Sequence, residues 1–197
     1  MDNLLIIFAR PPVLGKVKTR LAATLGGEKT LKIYEFLLAK TLSEADKVAN
    51  ADKLIFSSEK SDFWQNHQFN YSTQTGADLG EKMQNAFAWA FAANYKQVII
   101  IGADCYELNA NILTLGFETL RKQAAVIGQA KDGGYYLLGI KQLHIDLFVA
   151  KKWSTASVFE ATVADFRRLG LNYAILPILS DVDVEADLGD WAAPFLV

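Results

Sequence analysis

The chain contains one cysteine, Cys105, and so has no partner for an intramolecular disulfide, which suits a reducing compartment. It has only two histidines, His67 and His144. Neither has a cysteine or carboxylate at metal-ligand spacing, which argues against a zinc site. Neither sign of charge dominates: the formal net charge is -2 and the pI is near 5.7. A general polyanion binder needs a broad basic face, so nucleic acid is not an expected partner and any phosphate site must be local. Long hydrophobic runs are missing too. The opening run Leu4–Ala9 stops at Arg10-Pro11-Pro12, too short for a secretory signal core or a membrane span, so a soluble cytoplasmic protein is expected. There is no internal repeat, low-complexity tract or linker, and 197 residues fit a single domain, 1–197.

What is present alternates between two periodicities. Leu4–Ala9 reads as a strand buried on both faces, and Val98–Ile101 as another. Shorter strands are expected at Lys53–Ser57, Phe69–Gln74, Ala124–Gly128, Tyr135–Ile140 and Asn172–Pro177. Helices are expected at 28–48, 61–67, 109–122, from Asp78 as cap to about Ala93, and from a Ser157/Glu160 capping box to Gly170. Trp89, Phe87 and Phe91 read as helix core. Alternating strands and helices imply a mostly parallel sheet covered on both sides, with a possible antiparallel strand around Asp132-Gly133-Gly134.

Ligands of open α/β sheets lie beyond the carboxyl ends of the strands, and four segments there stand out. The loop 10–20 holds Arg10, Lys16, Lys18 and Arg20, four cations in eleven residues of an acidic chain, with Gly15 allowing close backbone approach. If 16–20 is extended, Lys16, Lys18 and Arg20 face one way and converge on an anion. The loop matches neither Walker A nor the dinucleotide fingerprint. Asp104, just after Val98–Ile101, could hold Mg²⁺ or Mn²⁺ beside a bound phosphate, or simply form a turn. Asp181 and Asp183 alternate in an acidic run, so either could supply a second carboxylate, while Glu185 and Asp187 suit a helix start. Asp132-Gly133-Gly134-Tyr135 could position or deprotonate an acceptor hydroxyl, or be a plain turn. Cys105 has no evident base partner.

Taken in order, Ile7–Arg10, Gly15–Leu21, Asp78–Met83, Ile101–Cys105, Asp132–Gly139, Trp153–Thr155 and Ser180–Asp183 resemble a bacterial family of GT-A-like proteins labelled DUF2064, uncharacterised glycosyltransferases, over nearly the whole chain. The resemblance implies a Rossmann-like three-layer α/β/α sandwich of the nucleotide-diphospho-sugar transferase type. It further implies a phosphate-gripping loop at Arg10–Arg20, a metal pair Asp104 and Asp183, and a helix from Asp78 through Gly80 beside the nucleotide. Read from the residues themselves, the acceptor would lie near Gly133, Gly134 and Tyr135, with Asp132 as base. The family usually has proline after its Asp-Cys pair and threonine after Asp-Val-Asp, where this chain has Tyr106 and Val184.

Three functions accommodate these residues: sugar transfer from a nucleotide diphosphate to an unknown small-molecule acceptor, nucleotidyl transfer from an NTP with release of pyrophosphate, and nucleotide binding without turnover. Fold alone does not choose among them.

Overall fold

Leu4, Leu5, Ile6 and Ile7 are all at most 1% exposed, which requires the strand carrying them to be covered on both faces. A computed structural model, describing residues 1–65 and 67–196, shows how. Its strands are β1 (Asn3–Ala9), β2 (Asp52–Ser57), β3 (Asn70–Thr73), β4 (Gln97–Ile101), β5 (Ala125–Ala130), β6 (Tyr135–Ile140) and β7 (Tyr173–Leu179). Its helices are α1 (Thr19–Leu25), α2 (Gly27–Asp46), α3 (Leu79–Ala92), α4 (Ala110–Lys122), α5 (Val158–Arg168) and α6 (Ala193–Leu196).

The strands form one seven-stranded sheet in the order β3-β2-β1-β4-β6-β5-β7. All neighbours are parallel except β6, which is antiparallel to both β4 and β5. Side chains alternate across a strand, so Leu5, Ile7, Ile99 and Ile101 pack with α2 and α4 on one face. Leu4, Ile6, Val98 and Ile100 pack with α3 and α5 on the other. The result is a Rossmann-like three-layer α/β/α sandwich with a mostly parallel sheet. Pro177 lies in β7, which pairs only with β5, and an edge strand tolerates a residue that donates no ladder hydrogen bond. Among the described residues, no helix is long and apolar enough to cross a membrane.

Four expectations need correction. Residues 19–25 form α1 rather than continuing an extended loop. Ser157 precedes α5 but makes no side-chain cap; its hydroxyl pairs with that of Thr155 at 2.9 Å. The helix expected at 61–67 contracts to one 3-10 turn, Asp62–Trp64, capped by Ser61, and residue 66 lies outside the described residues. Finally, Phe87 is buried but Trp89 is 46% exposed, edge-on to Phe56.

Candidate active site

β1 lies between β2 and β4. The chain therefore leaves the carboxyl end of β1 toward one side of the sheet, while the neighbouring β4 belongs to the other side. Such a reversal of strand order opens a crevice at the carboxyl ends, and loops after β1 and β4 share it.

The β1 loop is fixed by its backbone. The Tyr34 hydroxyl donates to the Arg10 carbonyl and accepts from the Arg10 amide, both at 2.9 Å. Burial pushes this phenol up to about 12, so it stays protonated and keeps its donor role. Gly15, at φ 77°, closes a turn in which Lys16 donates to the Val13 carbonyl at 3.0 Å. Lys18 is left-handed at φ 46°, and α1 begins at the next residue.

Asp104 follows β4, and its carboxylate occupies space left by Gly102, where a β-carbon would stand 2.9 Å from Asp104 Oδ1. The acidic run from 181 to 183 is stitched to this loop by its backbone. Val182 donates to the Asp104 carbonyl at 3.0 Å, and Cys105 and Asp181 form an antiparallel bridge. Asp187 Oδ2 in turn accepts the amides of Asp183 and Val184, each at 2.9 Å. Asp187 thus has the helix-start role expected of it and also steadies Asp183.

These supports bring Asp104 and Asp183 to one point, and the group found at that point is the Lys18 ammonium. Lys18 Nζ donates to Asp104 Oδ2 at 2.6 Å and to Asp183 Oδ1 at 2.9 Å. Arg20 Nη1 stands 3.6 Å from Asp183 Oδ2. Burial alone would lower the Lys18 pKa, but the charges of Asp104 and Asp183 more than reverse this and hold it above the ordinary lysine range. Burial would likewise raise Asp183, yet the Lys18 charge and hydrogen bond, with Arg20, hold it below the usual carboxylate range.

Asp181 behaves differently from its neighbour. Its Oδ1 is shielded from solvent and has no hydrogen-bond partner. Burial first, and then the Asp104 charge, push its carboxyl up to about 8. Asp181 and Asp183 both line one cavity, as their alternation suggested, yet of the two only Asp183 reaches Lys18.

A cavity of about 810 Å³ joins these groups, lined by Arg10, Lys16, Lys18 and Arg20, by Asp104, Asp181 and Asp183, and by Asp132, Gly134, Tyr135 and Trp153. The expected convergence of Lys16, Lys18 and Arg20 is corrected in detail, because the segment is not extended. Lys18 and Arg20 meet at Asp183, whereas Lys16 Nζ turns to Glu59 at 3.4 Å. Asp132 lines the cavity and is also a turn former, its Oδ1 accepting the Gly134 amide at 2.8 Å. Tyr135 lines the cavity, but its hydroxyl donates to Met83 Sδ at 3.6 Å.

Four expected site residues do not line this cavity: Gly15, Asp78, Gly80 and Gly133. Asp78 caps α3, accepting the Glu81 amide at 2.9 Å. A β-carbon on Gly80 would lie 2.3 Å from the Trp153 indole nitrogen, and one on Gly133 2.1 Å from the Ala156 carbonyl oxygen. Both glycines thus admit the 153–156 loop. Trp153, unplaced by periodicity, reaches the cavity through this contact; its only sequence signal is the Trp-Ser-Thr motif. Tyr34 carried no signal beyond its helical spacing. Burial pushes the Cys105 thiol up to about 12, so it stays protonated near neutral pH.

The donor set suits a hard divalent cation. Two carboxylate oxygens converge on one point, and such ions are commonly held by one or two carboxylates plus substrate phosphates. Among the described residues no group of three or more His, Cys, Asp or Glu side chains is arranged to hold a metal, so remaining ligands would come from a bound molecule or water.

Residues 38–155 match the family model described as "Uncharacterized protein conserved in bacteria (DUF2064)". The chain belongs to this family. A crystal structure of a "putative nucleotide-diphospho-sugar transferase" from Desulfovibrio desulfuricans G20 is 31% identical to this DUF2064 protein. The match covers 93% of this chain and 83% of that one, with a TM-score of 0.88. At far lower identity the fold is shared with a CMP:2-keto-3-deoxy-manno-octonic acid synthetase complexed with CTP: 8% identity, 98% of each chain, TM-score 0.62. It is also shared with a 4-diphosphocytidyl-2C-methyl-D-erythritol synthase from Anaerococcus prevotii DSM 20548: 11% identity, 99% of this chain and 96% of that one, TM-score 0.61. No curated protein matches the chain.

Proposed function

We propose that this DUF2064 protein is a metal-dependent transferase that binds a nucleotide diphosphate donor in the crevice between β1 and β4 and moves its sugar to an acceptor hydroxyl. The observation that carries this reading is the convergence of Asp104 and Asp183 on one point, 2.6 and 2.9 Å from the Lys18 nitrogen, in a cavity also lined by Arg10, Lys16 and Arg20. The relative that is 31% identical bears a nucleotide-diphospho-sugar transferase name, which supports the same class.

Sugar transfer breaks the bond between the sugar and the diphosphate and places negative charge on the departing oxygens. Arg10, Lys16 and Arg20 are exposed and line the cavity, where they would bind the diphosphate and stabilise that charge. Asp104 and Asp183 would hold Mg²⁺ or Mn²⁺, which supplies Lewis-acid stabilisation of the same charge. Asp132, tied to Gly134 through one oxygen, keeps a second oxygen with which to accept the acceptor's proton. Tyr135 and Trp153 would form the apolar wall of the acceptor side.

Product analysis with a panel of nucleotide sugars and NTPs tests the reaction. Release of nucleoside diphosphate with sugar on the acceptor is expected. Release of pyrophosphate from an NTP would replace sugar transfer by nucleotidyl transfer through the same residues. Binding without turnover across the panel would leave a nucleotide-binding protein.

A further inference from the structure

Of the four cations in the β1 loop, Lys18 is the exception. Arg10, Lys16 and Arg20 are exposed, while the Lys18 side chain is 8% exposed and both carboxylates it touches are the pair assigned above to a cation. We propose that Lys18 is an internal stand-in for the divalent cation: its ammonium and the metal occupy the same point in turn, so metal enters only as Lys18 leaves. The inference rests on reading Asp104 and Asp183 as the cation pair.

The geometry leaves little room for joint occupancy. Lys18 Nζ stands 2.6 Å from one carboxylate and 2.9 Å from the other, whereas Mg²⁺ needs such oxygens at about 2.0–2.1 Å. An ion bound to both would lie within contact distance of the nitrogen, and two like charges at that range repel strongly. The backbone adds a second observation. Lys18 is left-handed at φ 46°, a conformation that costs energy for a residue with a β-carbon and persists where surrounding contacts impose it. Ala22 donates to the carbonyl of this residue at 2.9 Å, and the Lys18 side chain is held by the two ion pairs. Once they are lost, the ammonium is released beside the cavity lined by Arg10, Lys16 and Arg20, where a phosphate is the complementary partner. The free protein is thereby spared two carboxylates facing each other with only Arg20 beside Asp183, and the released Lys18 becomes a fourth phosphate contact that exists only when metal is bound.

Titration with Mn²⁺ alone, free ion being read by electron paramagnetic resonance, tests the exchange without reference to activity. Lys18→Met keeps the length of the aliphatic stem and removes the charge. It is expected to bind Mn²⁺ about tenfold or more tightly than the wild type, a change of about 1.4 kcal/mol or more. Asp183→Asn in the Lys18→Met background should abolish the gain. Equal or weaker binding by folded Lys18→Met overturns the stand-in role. Should that variant fail to fold, wild-type protein answers the question through amine-reactive labelling at Lys18, read by mass spectrometry. Labelling should rise with saturating Mn²⁺, and labelling that stays low while Mn²⁺ binds overturns the proposal. If Mn²⁺ binds wild type with a nucleoside diphosphate and Asp183→Asn weakens it, yet Lys18→Met binds Mn²⁺ alone no more tightly, the stand-in fails while the metal reading survives. If no form binds Mn²⁺ with or without nucleotide, both fail.

Discussion

The Asp104 carbonyl accepts the amide of Val182 at 3.0 Å, joining the loop after β4 to the acidic run that follows β7. This single backbone contact, with the Cys105–Asp181 bridge beside it, is why carboxylates 79 positions apart, 104 and 183, face one another. Lys18 then balances one of their two charges, and Arg20 stands 3.6 Å from Asp183.

Removing Lys18 leaves two carboxylates facing each other. A fully buried pair broken this way costs about 3–5 kcal/mol, but Asp104 and Asp183 are 34% and 46% exposed, so about 1–3 kcal/mol is expected for Lys18→Ala. Denaturant unfolding in chelator measures it. Lys18→Ala combined with Asp104→Asn should cost less than the sum of the two single changes.

Asp181 should impose a pH dependence of its own. Its folded value, about 8, lies above its ordinary value of 3.8. Between the two the folded state holds a proton that the unfolded chain has lost, so rising pH through that window destabilises the fold. The slope from one group is at most about 1.4 kcal/mol per pH unit. Asp181→Asn should flatten this loss, and unfolding curves between pH 5 and pH 9 in metal-free buffer will show whether wild type and variant diverge with rising pH.

Gly80 and Gly133 make separate predictions. An added methyl at Gly133 meets the Ala156 carbonyl at 2.1 Å with φ at 88°, and Gly133→Ala should lose at least about 1–3 kcal/mol from backbone strain alone. At Gly80 the obstacle is the Trp153 indole, a side chain that can move. Gly80→Ala should therefore shift Trp153 fluorescence and weaken ligand binding more than it lowers the melting temperature.

Asp78 is a helix cap outside the cavity. Asp78→Ala should cost about 1 kcal/mol of stability and leave nucleotide affinity nearly unchanged, as measured by unfolding and by calorimetric titration. A large loss of affinity at full stability would instead place Asp78 at the nucleotide.

The buried strands were legible because β1 and β4 are continuous apolar runs, and the antiparallel β6 because Asp132-Gly133-Gly134 marks a turn. The acids and cations of the site were legible because they follow those strands. What escaped was set by contacts distant in sequence. Nothing local announces α1, which starts after a left-handed lysine without a side-chain cap, and its formation is what separates Lys16 from Lys18 and Arg20. Ser157 has the spacing of a capping box but spends its hydroxyl on Thr155. Trp89 lies outward because its helix buries Met83, Ala86, Phe87 and Ala90 instead. Trp153 is placed by a glycine more than seventy residues earlier. Tyr106, a departure from the family pattern, stacks on Trp191 with ring centroids 4.5 Å apart, so the backbone after Cys105 is anchored through an aromatic contact that no local pattern reveals.

The most direct test of the account is a thermal-shift titration of nucleoside diphosphates, with and without Mn²⁺, on wild-type protein and on Asp104→Ala. Binding to the folded state raises the melting temperature by an amount that grows with the logarithm of ligand excess. The account predicts a shift in the wild type that grows when Mn²⁺ is present, and loss of the Mn²⁺-dependent part in Asp104→Ala. A Mn²⁺-dependent shift of equal size in both proteins would contradict it.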